Sequence, residues 1–187
     1  MAAVAAAHIS VTSLKDKRVL VVGLGMLGLI AVEAVLRAGA TVTAIDPNFL
    51  RRESAAQLGA RAVDPIGFFG STDRAQCFDV AIEFSGSPDG VITCVQSLDI
   101  GGVAVLAGSV TDSSVIDVDS EWIVRGWRTI TGVHNYEPDH LEQAIEFFVE
   151  SKIDWKAVTD GPISLEDVPA AFRRPSGEGM RTVVDLI

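Results

Sequence analysis

The sequence predicts an α/β fold, a doubly wound parallel sheet of about six strands with helices on both faces. Three features carry that expectation. Short β-branched runs alternate with helical patterns, the first, fourth and fifth runs are almost continuously apolar, and the first ends in a glycine-rich turn that opens a helix. A parallel sheet is covered by helices on both sides, so its interior strands need that continuous apolar character. At 187 residues the chain has room for one such domain and a small appendage.

The expected strands are 18–22, 41–45, 61–63, 79–84, 102–107 and 128–132. Between them, 26–38 reads as a helix stopped at Gly39, 48–58 as a helix capped by Asn48 and stopped at Gly59, and 88–98 as a third. At 138–149, Leu141, Ala144, Ile145, Phe148 and Val149 recur at helical spacing, which predicts a helix with that face buried. Residues 64–76 carry breakers and little helical pattern. Right-handed crossovers bring the loops that follow the strands to one edge of the sheet, where ligands of such folds bind. After Ser151 the rhythm is lost: 153–162 reads as extended, 165–172 as a short helix interrupted by Pro169, and 180–186 as a final strand. The division expected is a linker or helix remnant at 1–16, a nucleotide-binding domain at 17–152 and a tail at 153–187.

Composition excludes several classes. With 25 acidic and 15 basic residues the net charge is −10, and no basic stripe is present to displace counterions from a nucleic acid. The longest apolar run, 19–32, has 14 residues and three glycines, whereas about 20 apolar residues span a bilayer. The alanine-rich start lacks the basic region of a secretory signal. Cys77 and Cys94, with 16 residues between them, match neither a disulfide framework nor a zinc-site spacing. Cys94 reads as a buried free thiol. These features predict a cytoplasmic protein with no membrane or nucleic-acid partner. A hydrophobic content of 48% and a mean hydropathy of +0.33 fit a doubly covered sheet, or a surface that a neighbour covers.

The glycine turn carries the chemistry. Gly23, Gly25 and Gly28 form a G-x-G-x-x-G motif after the first strand. Gly23 allows the tight turn, Gly25 lets backbone approach a pyrophosphate, and Gly28 lets helix and strand pack closely. The helix that opens at Met26 and Leu27 offers free N–H groups and a positive dipole end to phosphates. A second strand ends at Asp46, 18 residues beyond Gly28, where a carboxylate accepts hydrogen bonds from ribose hydroxyls. The motif in this setting predicts a Rossmann-type domain that binds NAD(H). Asp46 would repel the 2′-phosphate of NADP(H). Arg51 reads as lying over the adenosine side, its alternative being a solvated helix residue.

In order along the chain, 19–28, Ala44-Ile45-Asp46, 56–60, Phe78-Asp79-Val80 with Ser85-Gly86, and Gly101-Gly102-Val103 with Ala107-Gly108 resemble the cofactor domain of the medium-chain, zinc-type alcohol dehydrogenases. Residues 162–172 and 181–184 resemble that family's C-terminal return. The resemblance implies that Ser85 borders the nicotinamide ribose, that Leu106, Ala107 and Gly108 offer backbone groups to the carboxamide, and that Val133 lies near the same ring. It also implies a catalytic zinc in a preceding domain whose ligands are not in this sequence. The chain then supplies the NAD(H)-binding portion of an alcohol or polyol dehydrogenase, its partners being the cofactor and a complementing catalytic domain or a second copy. Two alternatives stand: a non-enzymatic NAD(H)-responsive or dimerisation module, and a methyltransferase, against which the spacing of Gly28 argues.

Other polar residues read as ordinary surface. His134 follows the sixth strand and reads as a loop histidine, with an acid–base role as its alternative. His8 and His140 have no evident partner. Asp117, Asp119 and Glu121 lack the register of a calcium loop and read as a solvated acidic loop. Core packing is the expectation for Trp122, Trp127 and Trp155.

Overall fold

The computed structural model describes residues 13–69, 77–110, 117–173 and 180–186. Residues 1–12 of the expected linker, with His8, and residues 70–76 lie outside them. The chain divides into two compact units, Met1–Ser151 and Lys152–Ile187.

In the first unit the order is β1 (Arg18–Val22), α1 (Met26–Arg37), β2 (Thr41–Ile45), α2 (Phe49–Gln57), β3 (Arg61–Val63), α3 (Pro65–Phe69), β4 (Phe78–Glu83), α4 (Pro88–Gln96), β5 (Leu98–Leu106), α5 (Ser120–Arg125), β6 (Thr129–Gly132) and α6 (Pro138–Glu150). All neighbours are parallel, in the order β3-β2-β1-β4-β5-β6. The chain winds outward from β1 in both directions, so right-handed crossovers put α1 and α2 on one face and α4 and α5 on the other. This is the doubly wound Rossmann-like sheet. The middles of β1 and β4 are inaccessible, with Val19, Leu20, Val21, Val80, Ala81 and Ile82 at 0% exposure. Burying an aliphatic side chain stabilises by about 1.5–3 kcal/mol, so this doubly covered centre is where the sheet draws its stability.

Register aligns the functional rim. Ile45 pairs with Val22, Val22 with Glu83, Glu83 with Leu106, and Leu106 with Gly132. The next residue of four strands still bonds to its neighbour: Gly23 N donates to Ile45 O at 2.8 Å, Phe84 N to Val22 O at 2.7 Å, Ala107 N to Glu83 O at 3.0 Å and Val133 N to Leu106 O at 3.0 Å. Turn residues far apart in sequence therefore stand in one row.

Several local expectations are corrected. β5 starts at Leu98, four residues before the expected strand. Helix α5 fills part of a stretch read as an acidic loop: Asp119 caps it by accepting from Glu121 N at 2.8 Å, and Glu121 pairs with Arg125 at 2.7 Å. Asp117 is exposed outside it. Helix α6 forms as expected, but Leu141, Ile145, Phe148 and Val149 are exposed and Phe147 is its buried residue. Arg37 of α1 stacks on the Phe147 ring at 4.7 Å, and the Ser151 hydroxyl donates to the buried Glu33 of α1 at 2.6 Å. Periodicity identified the apolar stripe; what covers it was not in the pattern. Trp122 packs against the core under the Arg128 guanidinium at 3.9 Å, whereas Trp127 is 84% exposed.

In the second unit, β7 (Thr159–Ser164) and β8 (Arg181–Asp185) pair in parallel, with a 3-10 turn (Leu165–Asp167) and helix α7 (Val168–Ala171) between them. The tail read as fragments thus forms a small strand–helix–strand unit of its own, in which Trp155 is half-buried.

At the sheet's other rim, Arg18 ties three strands. Its guanidinium reaches Asp79 at 3.0 Å and Asp99 at 2.7 Å, and its backbone N–H donates to Asp79 at 2.8 Å. The Asp99 carboxyl is held below its ordinary range chiefly by the Arg18 hydrogen bond. At Asp79, burial alone raises the pKa, but hydrogen bonds from the Arg18 side chain and backbone, with its charge, outweigh that and lower it. Depressed folded-state values mean stability that is present above the unfolded carboxyl pKa and lost as pH falls through the folded values. Urea unfolding at pH 7 should show Arg18→Met less stable by about 1 kcal/mol, since all three side chains are partly exposed. The gap should close on acidification below about pH 4. A gap independent of pH would remove the ion pairs as its cause.

Candidate functional site

The site is built on the corner from β1 into α1. Gly23 has φ +89°, and a Cβ there would lie 2.6 Å from Ser85 N, so the turn rests directly on the backbone after β4. A Cβ on Gly28 would lie 1.9 Å from the Gly23 carbonyl oxygen, which leaves no room for a side chain between helix and turn. Gly25 differs: nothing lies within 4 Å of its Cβ direction. No side chain caps α1, whose N-cap is Gly25, whereas Asn48 caps α2 and Ser87 caps α4. An uncapped helix start beside an open glycine is a fitting cradle for phosphate oxygens.

Two cavities flank this corner and share Phe84. One, of about 590 Å³, is lined by Gly23, Gly25, Asp46, Pro47, Arg51 and Ser85 among others. The second, of about 430 Å³, is more apolar, with Leu27, Ala107, Val133, His134, Tyr136 and His140 in its wall. Each is of the size that takes a small-molecule ligand.

Asp46 is 4% exposed. One carboxylate oxygen accepts from Leu24 N at 2.8 Å and the other from Asn48 N at 2.8 Å, so the acid fixes the glycine turn to the end of β2. Each oxygen keeps a lone pair for a further donor. The Arg51 guanidinium lies 3.7 Å from Asp46 in the same cavity wall. Its neighbour Arg52, passed over in the sequence reading, donates to the carbonyls of Asp46 and Pro47 at 2.8 Å each and pairs with Asp64 at 2.9 Å. Arg52 is therefore the residue that stiffens this loop.

Of the remaining sequence candidates, Met26 begins α1 and Gly28 lies inside it. Ala107 and Val133 reach the apolar cavity. Ser85 lines the Asp46 cavity instead, with its hydroxyl donating to Glu83 at 2.7 Å. Leu106 packs on the core and its carbonyl is taken by Val133 N; Gly108 N is engaged by Glu83. Glu83 itself was not foreseen, because it ends an apolar strand where an acid gives no motif. It is fully buried and joins the loops after β4 and β5. His140 Nδ1 accepts from Glu137 N at 3.1 Å, which gives that histidine a role in starting α6. Cys94 is a buried free thiol whose pKa is pushed up by burial and, second, by the charge of Glu83. Among the described residues no three His, Cys, Asp or Glu side chains converge to hold a metal, and no helix is long and apolar enough to cross a membrane.

A family model described as zinc-binding dehydrogenase matches residues 27–150. The chain belongs to the zinc-binding dehydrogenase family. L-threonine 3-dehydrogenase of Streptomyces avermitilis is 27% identical over 175 residues, covering 89% of this chain and 51% of its own length. The structure of 2R,3R-butanediol dehydrogenase from Bacillus subtilis superposes with a TM-score of 0.69 at 28% identity, over 89% of this chain and 49% of that one. Haloferax mediterranei glucose dehydrogenase, in complex with NADP, Zn and gluconolactone, shares the fold with a TM-score of 0.80 at 22% identity, over 99% of this chain and 56% of that one. This zinc-binding dehydrogenase chain thus spans about half the length of the curated relatives it matches.

The corner makes a sharp contrast testable. Gly28→Ala should destabilise by about 1–3 kcal/mol in urea unfolding, because the methyl group has to displace the Gly23 carbonyl. Gly25→Ala should stay within about 0.5 kcal/mol of wild type, since its methyl enters open space. Equal effects would show that the close approach at Gly28 is not what fixes the corner.

Proposed function

We propose that this zinc-binding dehydrogenase chain is an NAD(H)-binding portion of an alcohol or polyol dehydrogenase, at work in the cytoplasm. The observation that carries the reading is the pair of cavities meeting at Phe84 across the Gly23 turn, with a buried carboxylate in one and apolar walls in the other. A dinucleotide needs that layout: a polar place for the adenosine ribose, a phosphate cradle between, and an apolar slot for the nicotinamide. When bound, the nicotinamide supplies hydride transfer to or from an alcohol or carbonyl carbon. The chain's own work is to bind and orient. Asp46 accepts ribose hydroxyls, Arg51 lies over the adenosine side, Gly25, Met26 and Leu27 present backbone to the phosphates, and Leu27, Phe84, Ala107 and Val133 exclude water from the ring. Ser85 moves, in this reading, from the nicotinamide ribose to the adenosine side.

Asp46 supports NAD(H) over NADP(H). A 2′-phosphate beside a 4% exposed carboxylate would meet repulsion that water screens poorly. The glucose dehydrogenase above carries NADP, so the preference belongs to this chain's residue rather than to its fold. Zinc does not fit the residues described here and, in this reading, belongs to a complementing domain. The exposed face of Leu141, Ile145, Phe148 and Val149 and the open edge of β6 are surfaces that such a domain, or a second copy, would cover. Two free cysteines support a reducing compartment. The methyltransferase alternative has no support from a dehydrogenase family match.

Titration of the folded chain should give saturable NADH binding and weaker NADPH binding. Asp46→Asn should weaken NADH about tenfold by removing a charged acceptor and should narrow the gap to NADPH. The same change should cost about 1–3 kcal/mol of stability, because one of the two backbone N–H groups that Asp46 accepts loses its partner. A folded chain that binds neither cofactor, or binds both alike, would overturn the assignment.

A further inference from the structure

We propose that Glu83 sets the redox bias of the cofactor site: its buried carboxylate, at the joint between the loops after β4 and β5, favours the oxidised, cationic nicotinamide over the reduced, neutral one. The proposal rests on the dinucleotide reading above. Glu83 is 0% exposed. One oxygen accepts from Gly86 N at 2.6 Å and Ser85 Oγ at 2.7 Å, the other from Gly108 N at 3.2 Å and, weakly, Ser109 Oγ at 3.5 Å. Two of these partners, Gly86 N and Gly108 N, are donors only, so the group accepts on both oxygens. None of the ion pairs among the described residues includes it.

Holding two loops together does not require a charge. The loops already touch, since a Cβ on Gly86 would lie 2.7 Å from Gly108 O and one on Gly108 would lie 2.6 Å from Gly86 N. A neutral amide keeps one acceptor oxygen for Gly86 N, and Gly108 N retains the Glu83 backbone carbonyl at 2.9 Å, so the tie survives without the cost of burying an ion. What the carboxylate adds is a field that dipoles soften and that no cation among the described residues pairs with. That field reaches its surroundings: after burial itself, Glu83 is the second cause of the raised pKa of the Cys94 thiol. The next residue, Phe84, lines both cavities, and Ala107, beside the Glu83 ligand Gly108, lines the apolar one. A fixed anion one residue from the wall of an apolar cavity stabilises a positive ring there more than a neutral ring of the same shape.

Isothermal titration of the full chain with NAD+, NADH and AMP tests this. Glu83→Gln should weaken NAD+ about tenfold more than NADH, while AMP, which has no nicotinamide, changes by less than about twofold. Equal weakening of NAD+ and NADH would overturn the proposal and leave Glu83 as a loop tie alone. If circular dichroism shows that Glu83→Gln does not fold, Ser85→Ala gives the second reading. It removes a hydroxyl that softens the charge, so preference for NAD+ over NADH should rise about two- to threefold. An unchanged or reversed preference in that variant would equally overturn the proposal. Folded wild type that binds none of the three ligands would instead overturn the dinucleotide reading, and the bias with it.

Discussion

At the corner between β1 and α1, the Gly28 backbone lies against the Gly23 carbonyl, and Gly23 lies against the backbone of Ser85. These two contacts set where the helix starts, and much else follows from that. Because α1 begins this close to the sheet, its uncapped first turn faces the row formed by Asp46, Gly23, Phe84, Ala107 and Val133. The row in turn exists because four of those turns, at Gly23, Phe84, Ala107 and Val133, continue the parallel ladder by one further hydrogen bond. Side-chain volume at either glycine would lift the helix from the rim and part the two cavities from their common wall. The chemistry of the rim is thus limited first by sterics and only then by charge.

The opposite rim works by other means. There Arg18 joins β1, β4 and β5 through two carboxylates, in partly exposed positions where ion pairs contribute modestly. The rim with the cavities has few such cross-strand ties and uses buried carboxylates that accept backbone N–H groups instead. Asp46 and Glu83 each hold two segments together in this way. Acidic side chains suit the task because they accept from several donors at once, and loops leaving the ends of parallel strands are rich in donors with no ladder partner.

Much of the framework was legible in the sequence, and its failures have physical causes. The strand and helix alternation, the cap at Asn48 and the spacing from Gly28 to Asp46 are local signals, written in neighbouring residues. Helix α5 leaves little trace in the sequence because six residues give too short a pattern, and Asp119 signals a cap only together with the helix it starts. Glu83 gives no motif because it ends an apolar strand, and its partners after β5, Gly108 N and Ser109 Oγ, are brought near only by the fold. The exposed face of α6 was misjudged for a related reason: amphipathic spacing says which side is apolar, and coverage depends on elements elsewhere. Ser85 lies where the sequence places it, directly after β4, and its hydroxyl bond to Glu83 could not be read from spacing. The Glu83–Gly108 tie and the coverage of α6 belong to contacts that are distant in sequence.

The double engagement of Asp46 has a consequence for how this site can change over evolutionary time. The residue that would select the ribose also holds Leu24 in the glycine turn and Asn48 at the cap of α2. On the proposed reading, ligand preference and loop order are therefore not separately adjustable at this position. A lineage drifting toward a phosphorylated cofactor would have to find a new tie for at least one of those backbone groups in the same steps in which it removes the charge. Such epistasis makes single substitutions poor roads between the two preferences, and favours routes in which Arg51 and Arg52, already leaning on the loop, change first.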